Sequence, residues 1–168
     1  MVLKHNTKYI FRFGNTKIVF NKNYNESEFQ VYAKALVYAL YYKQYHSIRV
    51  EASVDERFQP DLSATGIDGG LVFWAECGNV SMDKIEKLFK KYRQAHFVFV
   101  REENDMAAFK KNLTKRTKDL HSLPLIDIIV YPEQFKEWWV SDEGDVFVPR
   151  EEVNIIRFHE PKNHTNYF

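Results

Sequence analysis

Leu71-Val72-Phe73-Trp74-Ala75-Glu76-Cys77 is apolar at every position but one. A strand with one wet face alternates apolar and polar residues, whereas a strand covered on both faces reads as an unbroken hydrophobic run. This segment is therefore expected to be a central strand with helices on both sides. Phe97-Val98-Phe99-Val100 and Leu125-Ile126-Asp127-Ile128-Ile129-Val130 have the same character. Helical patterns separate the three runs. One spans about Ser81 to Tyr92, with Ile85, Leu88 and Phe89 on one face. The other is a basic segment from Met106 to about Lys115. Strands alternating with helices imply crossover connections and a partly parallel sheet.

Upstream, residues 60–64 are expected to pair with 71–77 as a hairpin across Gly66-Ile67-Asp68-Gly69-Gly70, and 47–53 reads as a further strand. Ser27 is placed to cap a helix running to about Lys43, with Glu28 in its first turn. Apolar residues of that helix, from Phe29 to Leu40, go nearly all the way round, so it is expected to be buried on more than one side. Residues 7–20 read as two strands around a Gly14-Asn15 turn. Downstream, Pro132 opens a short aromatic helix ending near Trp139, and 146–158 supplies one or two more short strands. The expected fold is α/β: a mixed central β-sheet flanked by helices, in a single domain over residues 1–168.

A chain of 168 residues with 45% hydrophobic and 28% charged residues is neither disordered, collagenous nor a coiled coil. Cys77 is the one cysteine, which excludes an intrachain disulfide and argues against a cysteine-based zinc site. Its place in the strand makes it a small core residue rather than a nucleophile. The first residues lack the apolar run of a signal peptide, and no stretch is long and apolar enough to span a membrane. A cytoplasmic location is expected, with the sequons at Asn25, Asn79, Asn112 and Asn163 as chance matches. The formal net charge of +1 hides a division: residues 81–118 carry a net +6 and residues 119–168 a net −6. The basic residues between 84 and 118 form either a solvated helix surface or a face for nucleic acid. The acidic third could pair with them within one chain or between two. Trp138-Trp139 is read as packing on the sheet, with base stacking as the alternative. The six histidines show no metal-ligand spacing.

Chemistry concentrates on two carboxylates. Asp61, after Pro60, lies near the start of one hairpin arm, and Glu76 ends the other, so antiparallel pairing sets them side by side. Two such carboxylates repel unless a cation lies between them. A hard divalent ion, Mg²⁺ or Mn²⁺, binds through one or two carboxylates plus waters and activates water toward a phosphodiester. Glu76 closes a run so apolar that a carboxylate there needs a reason. Gly78 permits a sharp turn or the close approach of a ligand. The plainer alternative is that Asp61 caps a turn and Glu76 pairs with a nearby lysine.

Ala35-Leu36-Val37-Tyr38-Ala39-Leu40, Pro60-Asp61-Leu62, Asp68-Gly69-Gly70 and Trp74-Ala75-Glu76-Cys77-Gly78-Asn79 occur in that order. Together they resemble the YaeQ family, of the PD-(D/E)XK nuclease-like superfamily, over roughly residues 7–131. The resemblance implies a restriction-endonuclease-like core built on a four-stranded mixed sheet, and metal-dependent phosphodiester cleavage as ancestral chemistry. It makes Asp61 and Glu76 metal ligands and Glu28 an additional acidic ligand. The superfamily's lysine two positions after the glutamate is Gly78 here, and Asn79 stands where YaeQ-like sequences carry glutamine. Lys87, or else Lys84, is expected to substitute from the following helix, and Lys87 or Asn79 to orient the attacking water or stabilise the pentavalent charge. The expected function is a Mg²⁺-dependent nuclease. The alternative is a catalytically degenerate relative that binds nucleic acid or protein. Glu51, in a strand near the site, ranks below Glu28.

Overall fold

The computed structural model describes residues 7–55 and 57–162. Its elements in chain order are β1 (Thr7–Phe13), β2 (Thr16–Lys22), α1 (Glu28–Tyr41), β3 (Arg49–Val50), β4 (Leu62–Thr65), β5 (Leu71–Glu76), α2 (Met82–Lys91), β6 (His96–Arg101), α3 (Glu103–Thr117), β7 (Leu125–Val130), α4 (Phe135–Trp139) and β8 (Ile155–His159). A 3₁₀ turn at Arg150–Glu152 precedes β8. Six strands form one mixed sheet in the order β3-β4-β5-β6-β7-β8, and β1 and β2 form a separate two-stranded sheet. The β5–β6 and β6–β7 pairs are parallel, joined by α2 and α3, and the others are antiparallel. The expected α/β class holds. Six strands stand where the resemblance implied four, because Arg49–Val50 and the tail strand extend the two edges.

The apolar run at 71–77 is central, as its composition demands. Alternation along it splits the core in two. Phe73, Ala75 and Cys77 face α1, together with Val98, Val100 and Ile129. Trp74 lies with Phe97, Phe99, Ile126 and Ile128 on the face covered by α2 and α3, whose Ile85, Leu88, Phe89, Phe109 and Leu113 are buried there. Helix α1 is buried almost all round, as expected. It packs on the sheet and receives Phe11, Phe13 and Phe20 of the β1–β2 hairpin on another side. Tyr32 stands edge-on to Phe11, and Tyr38 lies against Phe13. Ser27 accepts from the Gln30 amide while the Gln30 side chain accepts from the Ser27 N–H, a capping box that starts α1 where expected.

Element ends differ from expectation where tertiary contacts intervene. The strand expected over 47–53 keeps two residues, because Glu51 leaves the extended conformation with φ 54°. Helix α3 begins three residues before Met106, at Glu103. The tail yields β8 and an isolated bridge between Val140 and Val146.

Away from the carboxylates, at the amino ends of the parallel strands, Tyr45 Oη lies 2.9 Å from His96 Nδ1, and His96 Nε2 lies 2.7 Å from Asp127. Arg157 of β8 donates to the other oxygen of Asp127 at 2.5 Å. Burial opposes the charge of Asp127, but His96 and Arg157 outweigh it and hold its carboxyl below the usual range. His96 is thus buried within a hydrogen-bonded chain from Tyr45 to Asp127.

Gly144 docks the hairpin against the tail. It has φ 89°, and the N–H of Arg12 donates to its carbonyl at 2.8 Å. A Cβ there would collide with the Ile10 carbonyl oxygen. Gly144→Ala is therefore expected to cost about 2 kcal/mol. Urea unfolding reads this as a lower midpoint at unchanged slope. A cost below about 0.5 kcal/mol, the level of an ordinary surface substitution, would show that this turn is not packed as described.

Candidate metal centre at the carboxyl ends of the strands

The site is built where β5 ends. Leu62 pairs with Ala75, and the Asp61 N–H donates to the Ala75 carbonyl at 3.1 Å, so Asp61 and Glu76 are neighbours across the hairpin. One Asp61 oxygen accepts the backbone N–H of Cys77 at 2.7 Å. Glu76 is only 6% exposed. Its Oε1 accepts from the Trp74 indole at 3.1 Å and lies 2.9 Å from the Lys84 ammonium. Burial pushes both carboxyls above their usual range. The Cys77 N–H and Lys34 oppose this at Asp61, and Lys84 opposes it at Glu76. Each is further raised by repulsion from acidic neighbours, including Asp61 acting on Glu76.

The residue that organises the other side of this edge is Lys34. It sits mid-helix on α1, 2% exposed between the fully buried Ala33 and Ala35. Its ammonium is paired with Glu26 and Glu51 and lies 3.9 Å from Asp61. Burial works against its charge, yet these carboxylates outweigh it and raise its pKa. Glu51 reaches Lys34 from the left-handed backbone region, where a glutamate is strained. Two hydrogen bonds hold that conformation: the Glu51 N–H donates to the Asp61 carbonyl at 2.8 Å, and the Gln59 side chain donates to the Glu51 carbonyl at 2.8 Å.

The expected site residues therefore divide. Asp61 and Glu76 are brought together. Lys84 joins them, whereas Lys87 is exposed one turn further along α2. Asn79 is exposed just past β5. Glu28 pairs instead with Lys136 of α4 at 2.7 Å, both half-exposed. Glu51, ranked below Glu28, is at the cluster, as are Glu26 and Lys34, which sequence reasoning missed. The space beside Gly78, expected to admit a sharp turn or a ligand, is taken by the Gln30 amide: a Cβ would collide with it. Cys77 is fully buried, and desolvation pushes its thiol well up, so it stays protonated and unreactive.

The donor chemistry suits a hard divalent cation bound by two carboxylates and completed by water. Glu76 Oε2 accepts no hydrogen bond among the described residues, which leaves it open to such an ion. Among the described residues no group of three or more His, Cys, Asp or Glu is arranged to hold a metal. Any ion here is thus held by the pair and not by a cage. No helix among the described residues is long and apolar enough to cross a membrane.

The raised carboxyl of Glu76 has a consequence for stability. A raised folded-state pKa means the folded state takes up the proton more readily than the unfolded chain. Its contribution is fully present below the ordinary carboxylate range and is lost as pH rises through the folded value. Glu76→Gln, which mimics the protonated form, is therefore expected to raise the melting temperature at pH 7 and to lose that advantage near pH 3.5. A variant less stable than wild type at pH 7 would mean that the Lys84 pair outweighs the burial penalty.

No family model and no curated protein sequence matches the chain. Solved structures do. The YaeQ protein from Pseudomonas syringae superposes with a TM-score of 0.65 at 16% identity, covering 90% of this chain and 89% of that one. The YaeQ protein from Xanthomonas axonopodis pv. citri superposes with a TM-score of 0.56 at 15% identity, covering 84% and 80%. Each superposition covers at least four-fifths of both chains. The chain has the fold of the YaeQ proteins.

Proposed function

We propose that the protein is a metal-dependent phosphodiester hydrolase acting on nucleic acid, with its site at Asp61 and Glu76. The observation that carries this reading is a buried glutamate and a partly buried aspartate side by side at the carboxyl edge of the parallel strands, each with a lysine ammonium within 4 Å. Ligand sites of α/β sheets gather at that edge. Burial makes the two carboxylates costly to ionise alone, and a cation placed between them removes that cost.

Asp61 and Glu76 would hold Mg²⁺ or Mn²⁺. Bound there, the ion supplies Lewis-acid polarisation of the phosphate and a lowered pKa for a bound water. The chain's own groups orient and neutralise. Trp74 fixes the rotamer of Glu76 through its indole N–H, and the Cys77 N–H fixes Asp61. Lys84, about one-third exposed, extends from α2 to Glu76 and is the ammonium placed to meet charge developing on a phosphoryl oxygen. This is the part first assigned to Lys87. Lys34 is too enclosed to reach a substrate and instead favours the charged form of Asp61 against its burial. Lys87, Lys110, Lys111, Lys115 and Lys118 are exposed on α2, α3 and the residue after it, and no described residue forms an ion pair with them. They offer a polyanion a sequence-independent track.

A second reading rests on a specific observation: a metal would have only the carboxylate pair, and both members already have ammonium partners. On that reading the fold binds nucleic acid through its lysines without cutting it.

Cleavage of DNA and RNA panels in Mg²⁺ and in Mn²⁺, against an identically purified Asp61→Ala/Glu76→Ala double variant, separates the two. Activity in wild type that is absent from the double variant is expected, and Lys84→Ala should lower it by roughly 100-fold. Equal cleavage by both proteins, or none by either, would reject hydrolysis. Salt-dependent binding would then decide for the second reading.

A further inference from the structure

Two groups at the carboxyl edge keep unspent hydrogen-bonding capacity, and they are opposite in sign. Glu76 uses Oε1 for both Trp74 and Lys84, and its Oε2 accepts from no described residue. The second group is Arg101, the last residue of β6. Phe99 of β6 is in register with Glu76, and Arg101 lies two residues further on, toward the same side of the sheet as Phe99. Arg101 is 7% exposed, and its Nε is buried with no hydrogen-bond partner. Its ion pair with Asp105 is long, at 3.7 Å, and Asp105 is half-exposed. Glu76 is close enough to act on its charge.

Buried polar groups are paired in the great majority of native structures, so an orphaned guanidinium N–H calls for a reason. Packing accounts for only part of the side chain. The guanidinium lies over the Phe109 ring at 4.2 Å, which fixes its plane but uses only its face. The donors of a guanidinium point outward in that plane, in a fork that matches the oxygens of a phosphate. The acidic residues at the start of α3, Glu102 at its N-cap and Glu103 and Asp105 in its first turn, are exposed and therefore screened by solvent.

We propose that Arg101 is a phosphoryl clamp, taking the non-bridging oxygens of a phosphodiester that lies against Glu76 and Lys84. One ligand completes both open valences: anionic oxygens for the Arg101 fork, and the cation they carry for Glu76 Oε2. The inference rests on the hydrolase reading for the owner of the phosphate, a nucleic-acid backbone. The anion site itself needs no metal.

The test is therefore run in EDTA. Inorganic phosphate is titrated into the full chain while the arginine Nε–H resonances are followed by ¹H–¹⁵N NMR, with chloride at matched ionic strength as the control. The Arg101 signal, assigned by its absence in Arg101→Lys, is expected to shift and saturate in phosphate only. Arg101→Lys keeps the charge but loses the fork, and should bind phosphate about tenfold more weakly. Asp105→Asn leaves Arg101 intact and removes its competing carboxylate, and should bind more tightly. An Arg101 signal that moves no further in phosphate than in chloride would overturn the proposal, as would affinity unchanged in both variants. Saturable binding without any cleavage activity would leave the clamp standing and reject hydrolysis. Cleavage with an unmoved Arg101 would do the reverse.

Discussion

The ammonium of Lys34 must be neutralised where it lies. It projects from the middle of a helix whose neighbouring residues are buried alanines, and water does not reach it. A buried ammonium without partners would cost several kcal/mol or give up its proton. Three segments distant in sequence solve the problem together: Glu26 before α1, Glu51 after β3 and Asp61 before β4 all turn toward it. The short β3 strand ends because Glu51 adopts a left-handed backbone to make that contact. Asp61 is held between the ammonium and the Cys77 N–H, and this fixes where the hairpin places Glu76.

The carboxylate edge follows from that arrangement and from the alternation of β5. Cys77 turns toward α1, while Trp74 lies on the α2–α3 face with Glu76 bonded to its indole. The pair of carboxylates therefore has cations on both flanks: Lys34 of α1 on one side of the sheet, Lys84 of α2 and Arg101 at the end of β6 on the other. A phosphate group with its counter-ion has the complementary layout, with the positive ion against the carboxylates and the oxygens against the basic side chains. Burial keeps these groups stiff and makes the carboxylates costly to ionise. That penalty is the kind of stability a binding site gives up to be ready for its ligand.

Much of this was legible in the chain. The unbroken apolar runs at 71–77, 97–100 and 125–130 were read as buried strands from composition alone, and each lies where expected to within a residue or two. Adjacency of Asp61 and Glu76 followed from antiparallel pairing. Lys34 was missed because one lysine in a helix ordinarily marks its wet stripe. The signal against that habit was present, since apolar residues from Phe29 to Leu40 leave no wet stripe for it to occupy. Glu51 was obscured by its strand-like neighbours, whose pattern carries no trace of a contact with α1. Glu28 is favourable at a helix start for reasons of its own and found a local partner in Lys136. Arg101 ends an apolar strand as Glu76 does, and the reasoning that singled out the carboxylate applies equally to the guanidinium.

The central claim is that a divalent cation binds to the Asp61–Glu76 pair. Paramagnetic broadening by substoichiometric Mn²⁺, read across the backbone amides by NMR, tests it without any assumption about catalysis. The account predicts that Asp61, Glu76, Cys77 and Gly78 broaden first, and that Asp61→Asn removes the effect. Broadening that begins instead at the exposed acidic residues around Glu137, Asp142 and Glu143 would contradict it.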